Sequence, residues 1–483
     1  MTTLADWKSW LSNLADDSLP AAQELFAAGA PIQVARAPGR LDVMGGIGDY
    51  SGSLVLEMPI AEAACAAVQR SDNGDVAVAS LPLETGEPIR RVAIPADNWV
   101  AMMRADYDSA RRMLGEVPDS TWAAYVLGPV LVLLRETDAQ LPGGLRILLD
   151  SLVPEGKGVS SSAAVEVATM RAVAALAEHN MPGEEIARLC QIAENRVVGA
   201  PCGIMDQMTS AVGRQDQLLA LLCQPATVEG FVPLPAGIAV WGIDSGIRHA
   251  VSGSDYTSVR SGAFMGYRIL AEAAGLEAKT ASGDSGGTVE ILDPKWHGYL
   301  ANVTPAEFRQ RFADAVPREM SGREFLTRYG GTTDTVTRVD PNRTYAVREP
   351  TLHPIEENAR VHRFRELLVG EITHDSLCEM GQLMYAAHAS YTACGLASDG
   401  TDLLVQMVRD RGPASGLFGA KITGGGSGGT VAILGRADAE PLVDELAHEY
   451  RQRSGRETYV FRGSSPGAWA TAVEQVTLSE VGT

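Results

Sequence analysis

The sequence predicts a mixed α/β protein, because strand-like and helix-like segments alternate along it. Arg146–Val153 and Ile238–Asp244 are short apolar runs bounded by turn residues, which is typical of strands. Ser162–Glu178 and Glu184–Val198 carry Ala, Leu and Glu at helical spacing. No segment of roughly 20–50 residues recurs, which excludes solenoids and propellers. An α/β or α+β fold is therefore the prediction.

Acidic residues predominate in this chain of 483 residues. Its 60 Asp and Glu outnumber its 40 Lys and Arg, so the formal net charge is −20. Binding to nucleic acid or to an anionic membrane requires many Lys and Arg contacts, and a net charge of this sign opposes both. We therefore expect no nucleic-acid partner and no membrane partner. Nothing in the sequence indicates the oligomeric state.

The chain also lacks the sequence features of export. Met1–Pro20 contains a single Lys, several acids and no apolar run of the kind that a secretory signal needs. The longest apolar run, Tyr125–Leu134, is broken by Gly128 and Pro129 and is shorter than the ~20 residues that span a bilayer. The 6 cysteines are scattered without a Cys-x-x-Cys pair, which is typical of reduced thiols. A cytoplasmic protein is the expectation.

Arg36–Gly52 is a first segment in which chemistry could be concentrated. Its Pro and Gly residues predict a bend, and Arg40 and Asp49 would be presented together from the loop backbone. A guanidinium suits developing charge on a phosphoryl group, and a carboxylate can accept two hydrogen bonds from a polyol. The alternative is a Gly-rich turn with a surface ion pair, and by itself this segment favours that alternative.

Val153–Ala164 has the composition of a phosphate-binding loop. Its glycines let backbone N–H groups approach an anion, and its three serines open a predicted helix whose N-terminus carries partial positive charge. The segment is not a Walker A loop, because no Gly-Lys-Ser/Thr ends it. A capped helix after a Gly turn is the alternative, and Gly-x-Gly followed by Ser-Ser-Ser favours the phosphate site.

Gly419–Leu434 places five glycines within six positions before an apolar strand. Ordering so many glycines costs considerable chain entropy, so close approach of the backbone to a ligand or to another backbone is the expected reason. A glycine-rich hairpin turn is the alternative.

Asp206 is the only acid between Glu194 and Asp216, and apolar and small residues surround it in the sequence. An aspartate in such surroundings is either buried and paired or used chemically. Its own segment favours neither possibility.

In this order, the segments resemble the three motifs of the GHMP kinases, the family named for galactokinase, homoserine kinase, mevalonate kinase and phosphomevalonate kinase. Pro38–Arg40 is similar to the Pro-Gly-Arg motif, Pro154–Ala163 to the central Gly- and Ser-rich loop, and Gly424–Gly429 to the C-terminal glycine motif. In the central loop Val159 replaces the usual Leu. Gly203–Gln207 stands where galactokinases carry their catalytic acid. Segments similar to the kinase part of plant L-arabinokinases are Gly39–Ile47, Trp241–His249, Ala393–Leu396 and Gly463–Gly467.

The resemblance implies a two-lobed GHMP kinase fold with the active site in the cleft between the lobes. The N-terminal lobe, residues 1–240, would resemble domain 2 of ribosomal protein S5 and would bind ATP and the sugar. The C-terminal lobe, residues 241–483, would be ferredoxin-like. Within it, Ala278–Gly287 is small and polar, and it is predicted to be a surface loop.

The implied activity is transfer of the γ-phosphoryl group of ATP to the anomeric hydroxyl of L-arabinose. Asp206 would be the catalytic carboxylate near the sugar O1, as a general base or by orienting the hydroxyl, and Arg40 would stabilise the transferred group. Ser162 and Glu194 would hold Mg²⁺, which requires hard oxygen ligands. The residues implied at the sugar are Asp49, Tyr256 and Gly46, and those implied at ATP are Gly156, Lys157, Gly158, Ser160, Ser161, Ser162, Gly424, Gly425 and Gly426.

The first motif departs from that of galactokinases, in which Glu and His stand at the positions of Gly46 and Ile47 and help to hold sugar hydroxyls, including that on C6. L-arabinopyranose has the galactose arrangement at C2 to C4 and lacks the C6 hydroxymethyl group. A buried acceptor that faces nothing would cost about 1–3 kcal/mol, so an apolar wall suits the smaller sugar. Galactokinases also follow the Tyr at position 256 with two adjacent arginines, of which only Arg260 is present.

Two rival functions stay open. A galactokinase, or a kinase of another aldose or a uronic acid, would share these motifs. A sugar sensor built on an inactive galactokinase fold is the non-enzyme alternative, but such relatives lose residues of the serine loop. Ser160–Ala163, Asp206 and Arg40 are all present, which favours catalysis. No role is assigned to His249, His353 or His388.

Overall fold

The computed structural model describes residues 4–83, 87–248, 254–280 and 288–479. His249 and residues 281–287 of the predicted surface loop lie outside these ranges. The strands are β1 (Pro31–Met44), β2 (Leu54–Ser71), β3 (Val76–Ser80), β4 (Arg90–Ile94), β5 (Gly144–Ser151), β6 (Gln217–Leu222), β7 (Thr227–Pro233), β8 (Ile238–Asp244), β9 (Ala278–Thr280), β10 (Val289–Ile291), β11 (Glu319–Ser321), β12 (Thr344–Ala346), β13 (Leu417–Ile422), β14 (Thr430–Arg436), β15 (Val460–Phe461) and β16 (Glu474–Thr477). The helices are α1 (Leu4–Ala15), α2 (Pro20–Leu25), α3 (Ala96–Arg104), α4 (Tyr107–Gly115), α5 (Ala124–Glu136), α6 (Ser161–Leu176), α7 (Gly183–Ile192), α8 (Met205–Val212), α9 (Ser254–Ala273), α10 (Pro305–Glu307), α11 (Gly322–Tyr329), α12 (Arg348–Val369), α13 (His374–Ala393), α14 (Asp399–Arg411) and α15 (Glu440–Ser454).

The local predictions agree with these elements. The predicted strands Arg146–Val153 and Ile238–Asp244 correspond to β5 and β8, and the predicted helix Ser162–Glu178 corresponds to α6. The predicted helix Glu184–Val198 corresponds to α7, which continues as a π-helical turn over Ala193–Val198.

The larger sheet, in the described part of the chain, has eight strands in the order β16-β1-β2-β5-β3-β4, with β6 paired to β2 and β7 paired to β6. Nearly every residue of its central strand β2 is buried. Since successive side chains of a strand point to opposite faces, both faces of β2 are covered. Ala66 and Val68 pack in the core that includes α5 to α8. Cys65 and Ala67 pack in a second core with Trp7 of α1.

The smaller sheet is antiparallel and runs β13-β14-β8-β15, with α13 and α14 packed against β13. The chain passes from the larger sheet to the smaller one between Pro233 and Ile238. It returns at its end, where Glu474–Thr477 pairs with Pro31–Val34. A division into two lobes near residue 240 stays a proposal. The chain changes sheets close to this residue, but its last strand, β16, pairs with β1 in the larger sheet.

A third apolar core joins α9, α11 and α12, and its large side chains include Tyr267, Trp296, Phe308, Phe312 and Phe325. Ala278–Thr280, predicted as part of a loop, is a strand because it pairs with Val289–Ile291. None of the helices in the described ranges combines the length and the apolar character needed to cross a lipid bilayer.

Candidate active site

Arg40 and Asp206 meet where β1 faces the first turn of α8. Arg40 lies in β1, at a point where the register with β2 shifts, so its predicted position in a loop is wrong. Its Nε and Nη2 donate to Asp206 Oδ1 at 2.9 and 2.7 Å, and its Nη1 donates to the carbonyl oxygen of Gly158 at 2.8 Å. Arg40 is buried, whereas the Asp206 side chain is 23% exposed, so the carboxylate reaches an open cavity.

The surroundings keep Arg40 charged. Burial opposes its charge, but the carboxylates of Asp206, Glu57 and Asp42 outweigh burial and raise the pKa of the guanidinium above its ordinary value. Asp42 is itself paired with Lys421 at 2.6 Å, with both side chains fully buried. A fixed positive charge beside Asp206 can stabilise an anionic group in transfer.

The cavity beside this pair brings together most of the residues predicted from the sequence. Its wall is formed by Arg40, Ile47, Asp49, Gly156, Gly158, Ser160, Ser161, Ser162, Glu194, Pro201, Cys202, Gly203, Met205, Asp206, Tyr256, Gly424 and Gly425. Within the described ranges, the predicted residues that this wall does not include are Gly46, Lys157 and Gly426.

The predicted phosphate loop has the backbone conformation that an anion site needs. Gly156 and Gly158 have φ values of 73° and 70°, in the left-handed region that favours glycine. Ser160 also lies in this region, and α6 begins directly after it. The first turn of a helix leaves its amides without intrahelical partners, and here that turn begins with Ser161 and Ser162 of the cavity wall. The loop therefore presents N–H groups and hydroxyls beside Arg40.

The glycine segment after β13 supports the phosphate loop through backbone contacts. Thr430 Oγ1 donates to the carbonyl oxygen of Lys157 at 2.8 Å. A Cβ on Gly429, where φ is 76°, would lie 2.8 Å from the same oxygen, so glycine is required there. Lys157 Nζ pairs with Asp244 Oδ2 at 2.6 Å, which holds this ammonium group out of the cavity wall.

Glu194 and Ser162 form an oxygen-rich corner of the cavity. Glu194 lies in the π-helical turn after α7, and such turns are rare and concentrate at functional sites. Its buried carboxylate accepts hydrogen bonds from Ser162 and, at 2.5 Å, from Gln207 Nε2. Burial, followed by the charge of Asp206, raises the pKa of Glu194 to about 7.

The donor set of this corner fits Mg²⁺. Carboxylate and hydroxyl oxygens are hard ligands, and Mg²⁺ commonly takes only one or two protein ligands beside phosphate and water oxygens. Among the described residues, three buried polar atoms nearby lack hydrogen-bond partners: Ser160 Oγ, Glu166 Oε1 and Gln207 Oε1. Buried polar atoms without partners indicate that further polar groups bind here. The described chain holds no group of three or more His, Cys, Asp or Glu arranged around a metal, so the other ligands would come from a bound molecule or water.

Asp49 and Tyr256 line the same cavity. The Asp49 carboxylate packs on Gly203 so closely that a Cβ there would lie 1.6 Å from Asp49 Oδ2. Burial, followed by the charge of Asp206, raises the pKa of Asp49 to about 6, although Arg260 acts in the opposite direction. This end of the cavity therefore offers a carboxylate and a phenol to a polyhydroxylated molecule.

Ile47 makes part of the wall apolar. It is 1% exposed and packs in a cluster with Tyr256, Tyr391 and Ile422. Its φ of 52° is unfavourable for a β-branched residue, so the surrounding structure must hold it there.

Gly46 lies behind this wall, and its contacts are with the protein. A Cβ there would lie 2.0 Å from Asp42 Oδ2 and 2.1 Å from the Tyr391 hydroxyl oxygen. Its carbonyl oxygen accepts from His353 Nε2 at 2.9 Å, so His353 Nδ1 is the ring acceptor and receives the Ser390 hydroxyl at 2.8 Å. Burial lowers the pKa of His353 to about 4, which keeps the ring neutral. His353, given no role from the sequence, thus holds the turn that carries Ile47.

A second cavity of about 860 Å³ shares Gly156, Ser161 and Ser162 with the first. Its wall includes Ile89, Arg90, Trp122 and Tyr125. The Arg90 guanidinium lies 5.0 Å from the centre of the Trp122 ring and pairs with Glu155 at 2.6 Å. Sequence reasoning missed these residues, because they come from a strand, turns and helix α5, and no shared motif connects them.

Comparison with known proteins agrees with the motifs. Residues 124–214 match the family described as GHMP kinases N terminal domain, and residues 23–70 match the galactokinase galactose-binding signature. The chain is 44% identical to L-arabinokinase of Arabidopsis thaliana over an alignment 488 residues long, gaps included. The alignment covers 93% of this chain and 47% of that relative. The chain thus spans about half the length of the plant protein. It is 30% identical to galactokinase of Chloroflexus aurantiacus over 91% of the chain and 93% of that relative.

Solved structures share the fold. Galactokinase of Lactococcus lactis complexed with galactose superposes with a TM-score of 0.71 at 19% identity, over 95% of this chain and 98% of that one. Mevalonate kinase of Methanococcus jannaschii superposes with a TM-score of 0.52 at 14% identity, over 89% and 98%. At these identities the likeness concerns the fold alone.

Proposed function

The chain belongs to the GHMP kinase family, and we propose that it transfers the γ-phosphoryl group of ATP to the anomeric hydroxyl of L-arabinose, giving L-arabinose 1-phosphate and ADP. The observation that carries this proposal is the Arg40–Asp206 pair, which stands in one cavity wall with the phosphate loop and with Asp49 and Tyr256. A polyol on one side and a phosphate chain on the other would meet at this pair.

The residues of the chain would share the work of the transfer. Asp206 would orient the sugar O1 hydroxyl and take up its proton as the bond between O1 and the γ-phosphorus forms. The bond from that phosphorus to the bridging oxygen of ADP breaks in the same step. Arg40 would stabilise the charge on the transferred group, and the amides after Gly156 and Gly158 would hold the phosphate chain. Asp49 and Tyr256 would fix the sugar ring, so that O1 points at phosphorus.

The larger cavity suits the nucleoside of ATP. It adjoins the phosphate loop through Gly156, Ser161 and Ser162, and its volume of about 860 Å³ is ample for a nucleoside. Trp122 and Tyr125 supply aromatic faces for a purine base.

Ser162 and Glu194 would hold Mg²⁺ at the phosphate end. When bound, Mg²⁺ would neutralise part of the phosphate charge. In the free protein Glu194 carries a raised pKa because it is buried near Asp206, and a cation there would remove that penalty.

L-arabinose is proposed over D-galactose because the apolar residue Ile47 forms part of the cavity wall. A hydroxymethyl group placed against that surface would lose its hydrogen bonds to water without gaining others. The similarity to L-arabinokinase over 93% of the chain supports the same choice. D-galactose is the second candidate, and the match to the galactose-binding signature favours it.

A sugar panel tests the proposal. The protein is incubated with ATP, Mg²⁺ and L-arabinose, D-galactose or D-galacturonate, and ADP release is measured. We expect L-arabinose to give the highest kcat/KM, with phosphorus NMR showing coupling to the anomeric proton. If the protein turns over D-galactose but not L-arabinose, D-galactose is the substrate and the proposal for L-arabinose is wrong. If a sugar binds but none of the three sugars leads to ADP release, the result supports the alternative of a sugar sensor without kinase activity.

A further inference from the structure

Arg260 is a buried arginine that lies close to the cavity and has no part in the transfer described above. It is on α9, one turn after Tyr256, and is 5% exposed. Its Nε and Nη2 donate to the two carboxylate oxygens of Asp334, each at 2.9 Å. Such a two-point contact fixes the plane of the guanidinium as well as its position.

Asp334 is held as firmly as its partner. It lies between α11 and β12, and its carboxylate also accepts from the backbone N–H groups of Val336 and Thr337 and from the Thr337 hydroxyl. The pair therefore cannot rotate freely, and the remaining nitrogen of Arg260 is aimed in a defined direction.

That nitrogen, Nη1, donates to the carbonyl oxygen of Cys202 at 3.2 Å. Cys202 and Gly203 are both in the cavity wall, and Gly203 is the residue on which the Asp49 carboxylate packs. On the other side, the N–H group of Cys202 donates to Asn195 Oδ1 at 2.9 Å. Asn195 Nδ2 also donates to the Cys202 carbonyl oxygen, at 3.4 Å. Arg260 and Asn195 thus together hold the turn on which Asp49 packs.

Arg260 does not belong to the cavity wall as far as the described residues define it. Its guanidinium lies 5.4 Å from the centre of the Tyr50 ring and 5.6 Å from that of Phe264, which places aromatic groups around it. Arg260 would therefore act on a sugar in the cavity through the Cys202–Gly203 turn and through Asp49.

We propose that Arg260, held by Asp334, is a positioning residue for the sugar side of the site, which fixes the Cys202–Gly203 turn against Asp49. This inference rests on the proposed function. The phosphate side has separate supports, in the hydrogen bonds from Thr430 to Lys157 and from Arg40 to Gly158. Cys202 also contacts Asn195 and Glu194, so the two sides are connected through this turn, but the separate supports of the phosphate side do not depend on it. Loss of the Arg260 fork is therefore expected to weaken sugar binding much more than ATP binding.

The experiment compares Arg260→Lys, Asp334→Asn and the wild type with L-arabinose and D-galactose. Lysine keeps the positive charge but cannot contact two carboxylate oxygens and a carbonyl oxygen in one plane. We expect Arg260→Lys to raise the sugar KM by about tenfold and Asp334→Asn by about threefold, because charge-assisted hydrogen bonds are lost. The KM for ATP stays within about twofold in both.

Arg268→Lys is the matched control. Arg268 lies two turns further along α9, is 8% exposed and donates to the Tyr329 carbonyl oxygen at 3.3 Å, away from the cavity. We expect its two KM values to equal those of the wild type. A purely structural role of Arg260 would lower the melting temperature and the active fraction without separating the two KM values.

The inference is overturned if folded Arg260→Lys keeps the sugar KM of the wild type, or if the KM values for sugar and ATP rise together. If Arg260→Lys does not fold, Asp334→Asn decides by the same criterion. A wild type that turns over neither sugar overturns the proposed function and this inference with it. An active wild type with unchanged variants overturns this inference alone.

Discussion

At the scale of single residues, Arg40 and Asp206 supply the two charges that the proposed transfer needs. Arg40 donates twice to Asp206 Oδ1, while the carboxylate keeps an exposed side towards the cavity. Asp49 and Ile47 place a carboxylate and an apolar side chain in the cavity wall, at the end proposed for the sugar.

Asp206→Asn is expected to bind sugar and ATP as the wild type does and to lower kcat by about a thousandfold, because the amide cannot take up the O1 proton. Calorimetry measures binding, and ADP release measures turnover. Asp216→Asn is the control: Asp216 is exposed and its φ of 58° suits asparagine. Unchanged turnover of Asp206→Asn would refute the assigned role.

The pKa of Asp49, raised to about 6 by burial and by Asp206, predicts a pH dependence. The folded protein binds this proton more tightly than the unfolded chain, so the carboxylate is present above about pH 6 and is lost as the pH falls through that value. At saturating ATP and Mg²⁺, kcat/KM for L-arabinose should fall about tenfold per pH unit below the inflection. The inflection should be absent from the profile of Asp49→Asn, and its persistence there would assign it to another group.

Ile47→Ala is expected to raise kcat/KM for D-galactose relative to L-arabinose by about tenfold or more, because it opens the apolar wall to a hydroxymethyl group. Ile422→Ala removes the same atoms from the same apolar cluster, at a side chain outside the cavity wall. If the ratio of kcat/KM for the two sugars changes equally in both variants, the change comes from lost stability of the cluster and not from a contact between Ile47 and the sugar.

At the scale of elements, irregular backbone occurs where the site needs it. The β1 register shifts next to Arg40, the helix that carries Glu194 widens to a π-helical turn, and Ser160 takes a left-handed φ before α6. Each irregularity changes the direction in which a side chain or amide points. Backbone-to-backbone contact between the phosphate loop and Gly429 then joins the two sheets.

Gly429→Ala should raise the KM for ATP by about tenfold and the KM for sugar far less, because its Cβ would push the Lys157 carbonyl oxygen and displace the phosphate loop. Gly455→Ala is the matched control: its φ is 69°, and nothing lies within 4 Å of the added Cβ. It pays the same backbone strain without the clash. If both variants change the KM for ATP equally, the clash between the added Cβ and the Lys157 carbonyl oxygen is not the cause.

At the scale of the whole molecule, a net charge of −20 surrounds the site that we propose for ATP, an anionic nucleotide. Attraction must therefore be local, and the groups that supply it are Arg40 and the amides of the phosphate loop. Lys157 contributes less than its sequence position predicts, since Asp244 neutralises it.

Salt dependence tests this balance. Raising the ionic strength from about 0.01 to about 0.15 M shortens the Debye length from about 30 to about 8 Å and screens the global repulsion more than the contacts within the site. We expect kcat/KM for ATP to rise by about twofold, whereas that for the neutral sugar stays constant. Initial rates at fixed Mg²⁺ measure both. A fall with salt would show that local positive charge dominates the approach of ATP.

The sequence by itself determined the α/β class and predicted the phosphate loop and the supporting glycine segment, whereas the role predicted for Asp206 came from the resemblance to the family. It could do so because consecutive residues specify these features: helix and strand periodicity, glycines at left-handed φ, and serines at a helix start. The order of the three motifs along the chain then indicated the family.

Only the tertiary structure decided how those features meet. It placed Arg40 in a strand, set Gly46 behind Ile47, and joined Arg260 to Asp334. It also assembled the larger cavity around Trp122 from separate strands, turns and helices. The physical reason is that contacts between distant segments depend on sheet register and on packing, and no local pattern in the sequence records which buried partner a charge or a ring will find.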